Sequence, residues 1–301
     1  MHAPSLVILP DKKNLFAKRA QRFAYLAKSA PNPNSILDKE SLLFFAHFCN
    51  AQQQLTEKFK NFATPLSRFC IVSAPPFDRS KLLSLGLYES IAEDFLKHLS
   101  TQTFSTIRYE ALSCTRQKKD QWRLWGHNLL NHILPPQQLT EHIFIIGALQ
   151  IIYSLAASQL DAQNFFPQQK NLCPACSGTH FANLIIDWKS HKSIKVCSCL
   201  YCGTLWHIPN TQCTFCKSTQ NISSHTIENM PDSILFETCA ICGSYCKQLN
   251  QHKNPTLDVF ADEISTPTPD PLHNNPSYFK RKSFNPFLAE HRKQPAFLST
   301  K

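Results

Sequence analysis

Eight of the chain's 13 cysteines fall into two quartets of identical spacing. The first is Cys173-Pro174-Ala175-Cys176, then 22 residues, then Cys199-Leu200-Tyr201-Cys202. The second is Cys213-Thr214-Phe215-Cys216, again 22 residues, then Cys239-Ala240-Ile241-Cys242. Two residues between paired cysteines let a tight turn aim both sulfurs at one ion, and two such turns complete a tetrahedral four-thiolate site. A closed site of this kind has no open position for a substrate, so the chemistry expected is structural metal binding, with one-electron transfer added if the ion is iron. Four thiolates suit zinc and iron equally, and spacing does not choose between them.

The glycines support the same reading. Of only six in the chain, Gly178, Gly203 and Gly243 lie within two residues of a pair's second cysteine, where a turn calls for positive φ. Gly178 is one position late behind Ser177, and Cys216 is followed by Lys217, so those two turns are expected to be less regular. Cys197 and Cys246 stand outside the quartets. Cys197 is two residues from Cys199 and on a strand would face the same way, but only Cys199 completes the repeated spacing. Trp206 beside the first site is expected to cover apolar surface, and His207 to be a surface or supporting group. Cys49, Cys70 and Cys114 read as core or loop thiols.

An odd cysteine total in a long chain, with no basic segment ahead of the short apolar stretch in Met1 to Pro10, argues against a secreted disulfide framework and for a reducing cytoplasm. The formal charge of +10 falls to +6 once eight thiolates and two divalent ions are included. That excess favours acidic partners in general. No basic and aromatic recognition run accompanies it, which makes nucleic acid an unfavoured partner.

The elements that position these cysteines read as a helical bundle followed by short strands. Leu15, Phe16, Ala20, Phe23, Leu26, Ala27 and Ala30 recur at helical spacing, and the Pro31 to Pro33 stretch ends that helix. Ser35 with Asp38 resembles a capping box opening a helix that carries Leu42, Leu43, Phe45, Ala46, Cys49 and Leu55. Further helices are expected over Lys81 to Leu99 and Asp120 to Leu134, with breaks at Pro75-Pro76 and Pro135-Pro136. Ile143 to Leu160 is apolar enough to raise the question of a membrane span. Its Gln150, Tyr153, Ser154, Ser158 and Gln159, and the lack of basic flanks, favour a buried central helix and no membrane insertion. Strands are expected around Leu184 to Trp188, Ile194 to Val196, Leu205 to Ile208 and Ile234 to Phe236. The fold class is therefore α+β: an all-α bundle over 1–162, a first four-cysteine ribbon over 171–210, a second over 211–260 and a proline-rich tail over 261–301. The two tandem modules are rubredoxin-like or zinc-ribbon-like.

The ordered set of four cysteine pairs, with Trp206-His207, Gly243-x-Tyr245 and a late Asn285-Pro286-Phe287-Leu288, resembles the FdhE family of formate dehydrogenase accessory proteins. The run Lys13-Asn14-Leu15-Phe16-Ala17-Lys18-Arg19-Ala20 is similar to that family's opening helix. The resemblance implies an assembly factor without turnover of its own, which binds the catalytic subunit of formate dehydrogenase in the cytoplasm and carries iron on the cysteine pairs. Carried over, Cys173, Cys176, Cys199 and Cys202 would hold one ion, and Cys213, Cys216, Cys239 and Cys242 the other. Tyr278, Arg281, Asn285, Pro286 and Phe287 are candidates for contact with the partner. One departure stands out: Asp262-Glu263-Ile264 runs into Pro267, Pro269 and Pro271, where the family pattern has an acidic, apolar helix, and that proline density forbids a regular helix. A rubredoxin-type electron carrier is the alternative function, with a nucleic-acid-binding ribbon behind it. Self-association as a homodimer is left open by the sequence.

Overall fold

A computed structural model describes residues 6–29, 35–67, 77–102, 105–162, 165, 172–226, 230–267 and 279–288. After a two-residue strand at Val7–Ile8, the N-terminal half is helical: α1 (Leu15–Lys28), α2 (Lys39–Lys58), α3 (Ala63–Ser67), α4 (Arg79–Leu83), α5 (Gly86–Leu99), α6 (Thr106–Gln117), α7 (Trp122–Leu130) and α8 (Leu139–Ala157). α8 is buried from His142 to Ala157 on every side. It is long and apolar enough to cross a membrane, but its faces are covered by the other helices, as expected of a central core helix. Gly147 permits that packing, because a Cβ there would stand 2.4 Å from the Phe48 ring and 2.7 Å from Phe95. Inside the bundle, the buried Gln52 Nε2 donates to the Gly147 carbonyl at 3.0 Å and to Gln150 Oε1 at 2.9 Å, which ties α2 to α8.

Several boundaries differ from the sequence reading. Asp38, not Ser35, caps α2, accepting from the Ser41 amide at 2.7 Å, while the Ser35 hydroxyl bonds to Leu37. The helix expected over Lys81 to Leu99 is two helices, because the chain breaks at Leu85 and restarts at Gly86. α6 was not foreseen. The proline breaks at Pro31 to Pro33 and Pro75-Pro76, and Cys70, lie outside the described residues.

The C-terminal half supplies seven strands, and the N-terminal segment one, of a single eight-stranded sheet: β1 (Val7–Ile8), β2 (His180–Trp188), β3 (His191–Cys199), β4 (Leu205–His207), β5 (Ile222–His225), β6 (Ile234–Cys239), β7 (Ser244–Asn250) and β8 (Lys280–Arg281). The strand order is β1-β4-β3-β2-β7-β6-β5, with β8 paired to β7. The tandem modules are thus each a three-stranded antiparallel unit, β4-β3-β2 and β7-β6-β5, joined where β2 and β7 run parallel, Asn183 opposite Gln248 and Ile185 opposite Asn250. The chain's N-terminal β1 adds to β4, with Val7 opposite Trp206.

A short helix, α9 (Val259–Ser265), follows the second module and is buried throughout. This corrects the expectation that the prolines remove the helix: it forms just ahead of them, capped by Asp258. Its acidic residues are paired inside. Asp262 bonds to Arg22 of α1 at 2.8 Å, and Glu263 meets Arg281 and, at 3.7 Å, Lys247 of β7. The Lys247 ammonium donates to the Glu263 and Thr266 carbonyls and to the Thr266 hydroxyl. A second buried pair, Lys195 with Glu237 at 2.7 Å, ties β3 of one module to β6 of the other.

Candidate metal centres

Each cysteine pair sits on a closed turn. The amides of Ser177, Lys217 and Gly243 donate to the carbonyls of Cys173, Cys213 and Cys239 at 2.8 to 3.1 Å. The residue after the second cysteine has positive φ in all four turns: Ser177 at 52°, Gly203 at 75°, Lys217 at 62° and Gly243 at 62°. The four turns are therefore alike, and the two without glycine at this position accept a left-handed Ser or Lys. Gly178 serves a different need. A Cβ on it would lie 2.8 Å from Cys199 Sγ, 2.9 Å from the Tyr201 ring and 3.0 Å from Cys176 Sγ, so the backbone passes against two ligand sulfurs.

The turns gather the sulfurs as the spacing predicts. In the first group, Cys173 and Cys202 are 3.6 Å apart, Cys176 and Cys199 3.5 Å, and Cys176 and Cys202 3.6 Å. In the second, Cys213 and Cys242 are 3.8 Å apart, and Cys216 and Cys239 3.7 Å. A tetrahedron of metal–sulfur bonds near 2.3 Å has edges of about 3.8 Å, so both groups have the dimensions of a four-thiolate site and are too open for disulfides. Each group can hold one metal ion, with all ligand sulfurs within 4.8 Å of one another. Cys199, not Cys197, belongs to the first group. Cys197 is buried with its Sγ 3.6 Å from Asn183 Oδ1, and Cys246 is buried 3.5 Å from His180 Nε2.

Hydroxyls stand by both sites. Thr204 Oγ1 is 3.1 Å from Cys202 Sγ, and Ser244 Oγ is 2.9 Å from Cys242 Sγ; each could donate to a metal-bound thiolate and moderate its charge. Burial pushes the Cys213 thiol up to about 12. For Cys242, burial acts in the same direction but is outweighed by hydrogen bonds from Ser244 and the other cysteines, leaving it at about 7. Between the sites runs a polar chain that sequence reading missed: Thr214 Oγ1 accepts from Asn183 at 2.8 Å, and Asn183 Oδ1 is 3.0 Å from His180 Nε2. Burial lowers the His180 imidazole to about 4, so it is neutral near pH 7.

The two sites differ in setting. The first is buried at all four cysteines, whereas in the second Cys216 is exposed and Cys242 half-buried. The turn Cys199–Cys202 is plugged into the bundle: the Tyr201 hydroxyl donates to the Leu129 carbonyl at 2.6 Å, and Gln150 donates to the Leu200 carbonyl at 2.8 Å. Trp206 is buried on β4 and His207 exposed on the same strand, neither among the ligand groups.

Family models described as "FdhE, N-terminal" and "FdhE, C-terminal domain" match residues 4–170 and 211–288. The chain belongs to the FdhE family. Among its relatives, a protein FdhE homolog of Rhizobium meliloti (strain 1021) is 28% identical, over 94% of this chain and 92% of the relative. A homolog of Proteus mirabilis (strain HI4320) is 27% identical, over 94% and 90%. The crystal structure of the FdhE protein from Pseudomonas aeruginosa superposes with a TM-score of 0.68 at 22% identity, covering 87% of this chain and 90% of that one, and so shares the fold.

The late motif is the part of the FdhE pattern whose placement departs from a surface role. Phe287 is fully buried among Phe45, Phe48 and Phe260, with ring centroids 6.0, 6.3 and 4.9 Å away, and Pro286 is buried beside it. Asn285 Oδ1 accepts from the Phe287 amide at 3.1 Å. Arg281 is held by Glu263 and Ser283, with its ring contact to Tyr245 at 5.8 Å. These four residues bind the chain to itself, and Tyr278 lies outside the described residues.

Proposed function

We propose that this FdhE-family chain is an accessory protein of formate dehydrogenase that binds the enzyme's catalytic subunit in the cytoplasm during maturation and turns over no substrate itself. The observation that carries this reading is the pair of closed four-sulfur groups. A metal with four thiolates has no free position for a substrate, so the ions hold a shape or pass single electrons. Cys173, Cys176, Cys199 and Cys202 would hold one ion, and Cys213, Cys216, Cys239 and Cys242 the other, with iron the ion implied by the family and zinc equally suited to the donors. Arg281, Asn285, Pro286 and Phe287 would serve the partner indirectly, by fastening α9 and the tail to the bundle so that the surface around them keeps one shape.

The test is formate-dependent dye reduction in the source organism with this gene deleted and then restored. Loss and recovery of activity are expected. Unchanged activity in the deletion strain, with the dehydrogenase expressed, would remove the accessory reading. A rubredoxin-like electron carrier is the second reading, favoured by the exposed Cys216 of the second site. It predicts iron-loaded protein that bleaches reversibly on reduction, and colourless zinc-filled native protein would dismiss it.

A further inference from the structure

The helices that receive the turn Cys199–Cys202 bring two guanidinium groups to the first centre. Arg19 of α1 is 2% exposed, and its Nη2 reaches so near Gly203, the residue after Cys202, that a Cβ there would stand 3.6 Å from it. Arg79 of α4 lies with its guanidinium carbon 4.7 Å from the centre of the Tyr201 ring. That ring packs on the ligands: a Cβ on Gly178 would be 2.9 Å from Tyr201 Cδ2 and, at the same point, 2.8 Å from Cys199 Sγ and 3.0 Å from Cys176 Sγ. The two arginines therefore flank the ligand Cys202, one at the residue before it and one at the residue after.

Neither cation has a carboxylate of its own. Among the described residues neither forms a salt bridge, and Arg19 Nε and Arg79 Nη1 are buried without a hydrogen-bond partner. Asp258 lines the same cleft as Arg19 but is occupied as the cap of α9, where it accepts from the amides of Phe260 and Ala261. Around Arg19 stand instead two aromatic faces, Phe260 at 4.6 Å and Phe16 at 5.3 Å. A buried charge left unpaired is strongly unfavourable, so both groups call for an anion. Four thiolates around a divalent ion carry a net charge of −2 and would supply one beside both.

We propose that Arg19 and Arg79 are the countercharge of the first metal centre, positioning residues that favour its loaded, net-negative form over the empty one. Guanidinium suits the task because it stays charged when buried, is weakly hydrated and stacks on aromatic faces. The effect is reciprocal: what the arginines contribute to ion binding, the ion returns by holding α1 and α4 against the turn. With iron, the site carries −1 when ferric and −2 when ferrous, so loss of a neighbouring cation removes more stabilisation from the ferrous form and lowers the potential. The inference concerns the ion alone and stands whether or not the chain serves formate dehydrogenase.

The test uses the full-length chain with Arg19→Met and Arg79→Met as separate variants, which remove the charge and keep an unbranched side chain, and Arg79→Lys, which keeps the charge. Ion affinity is read by cobalt titration against a competing chelator. Each Met variant is expected to retain one site of wild-type affinity and to bind the other ion at least about tenfold more weakly, as a unit charge in a buried setting is worth that much. Arg79→Lys should recover most of the loss. In the iron-loaded chain each Met variant should lower the potential of one centre by at least about 59 mV, which is tenfold for one electron, and leave the other unchanged. Wild-type affinities and potentials in both Met variants would overturn the proposal. So would weakened affinity with unchanged potentials and no recovery in Arg79→Lys, since lost packing alone gives that result. Arg79 is only partly buried, so its variants carry the test even if Arg19→Met does not fold.

Discussion

Adding one methyl group at Gly178 should weaken metal binding at the first site and spare the second. A Cβ there would stand 2.8 Å from Cys199 Sγ and 3.0 Å from Cys176 Sγ, well inside contact distance. Without an ion, either cysteine can rotate aside. With an ion, the two sulfurs are tied to one centre and to an edge of about 3.8 Å, so their share of the strain falls on the loaded state, while crowding of the Tyr201 ring at 2.9 Å falls on both. Overpacking of this size costs about 1 to 3 kcal/mol, and the part of it that falls on the loaded form alone lowers affinity, by about fivefold for 1 kcal/mol. The assay is cobalt titration of Gly178→Ala against a competing chelator, read from the sulfur-to-cobalt charge-transfer band. One site of wild-type affinity and one weakened site are expected. Two sites of unchanged affinity would refute the reasoning, because they would mean the backbone does not press on the ligands once the ion is bound.

Other consequences are as direct. Phe287→Ala should cost about 3 to 5 kcal/mol in denaturant unfolding, as a buried aromatic lost from the bundle core; a near-neutral change would return the late motif to a surface role. Lys195→Met should destabilise by about 3 to 5 kcal/mol because it strands Glu237, and Lys195→Met with Glu237→Leu should recover most of the loss. Burial holds the Lys247 ammonium at about 8, below its ordinary 10.5. The unfolded chain then binds more protons between those values, so this group makes stability rise from pH 8 to 10.5, by about 3 kcal/mol in all, with the penalty fully present below pH 8. Lys247→Met should flatten that rise in unfolding curves across the range. Cys216 is the exposed ligand, so limited chelation should remove one ion per chain before the second; simultaneous loss of both would contradict the difference in burial.

The cysteine quartets were legible in the sequence because their geometry is local: two residues between ligands fix a turn, and the turn fixes the sulfurs. The left-handed Ser177 and Lys217 were harder to read, since glycine marks such positions and its absence suggested irregular turns. α8 was clear from its length and apolar run, whereas α6, with Arg108, Glu110 and Arg116 on a short amphipathic stretch, left a weak trace. Sharing of one sheet by the two modules was not legible. It depends on β2 lying parallel to β7, and on two-residue strands, Val7–Ile8 and Lys280–Arg281, distant in sequence from the strands they join. Nor did the sequence reveal the buried charges. Asp262 and Glu263 look like solvent-facing residues of a tail until Arg22, Lys247 and Arg281, from other elements, enclose them.

The central claim is that each quartet is a four-thiolate metal centre, and elemental analysis with X-ray absorption on anaerobically purified full-length protein tests it most directly. The account predicts two ions per chain, each with four sulfur neighbours at about 2.3 Å. Fewer than two ions, or a first shell containing nitrogen or oxygen, would contradict it.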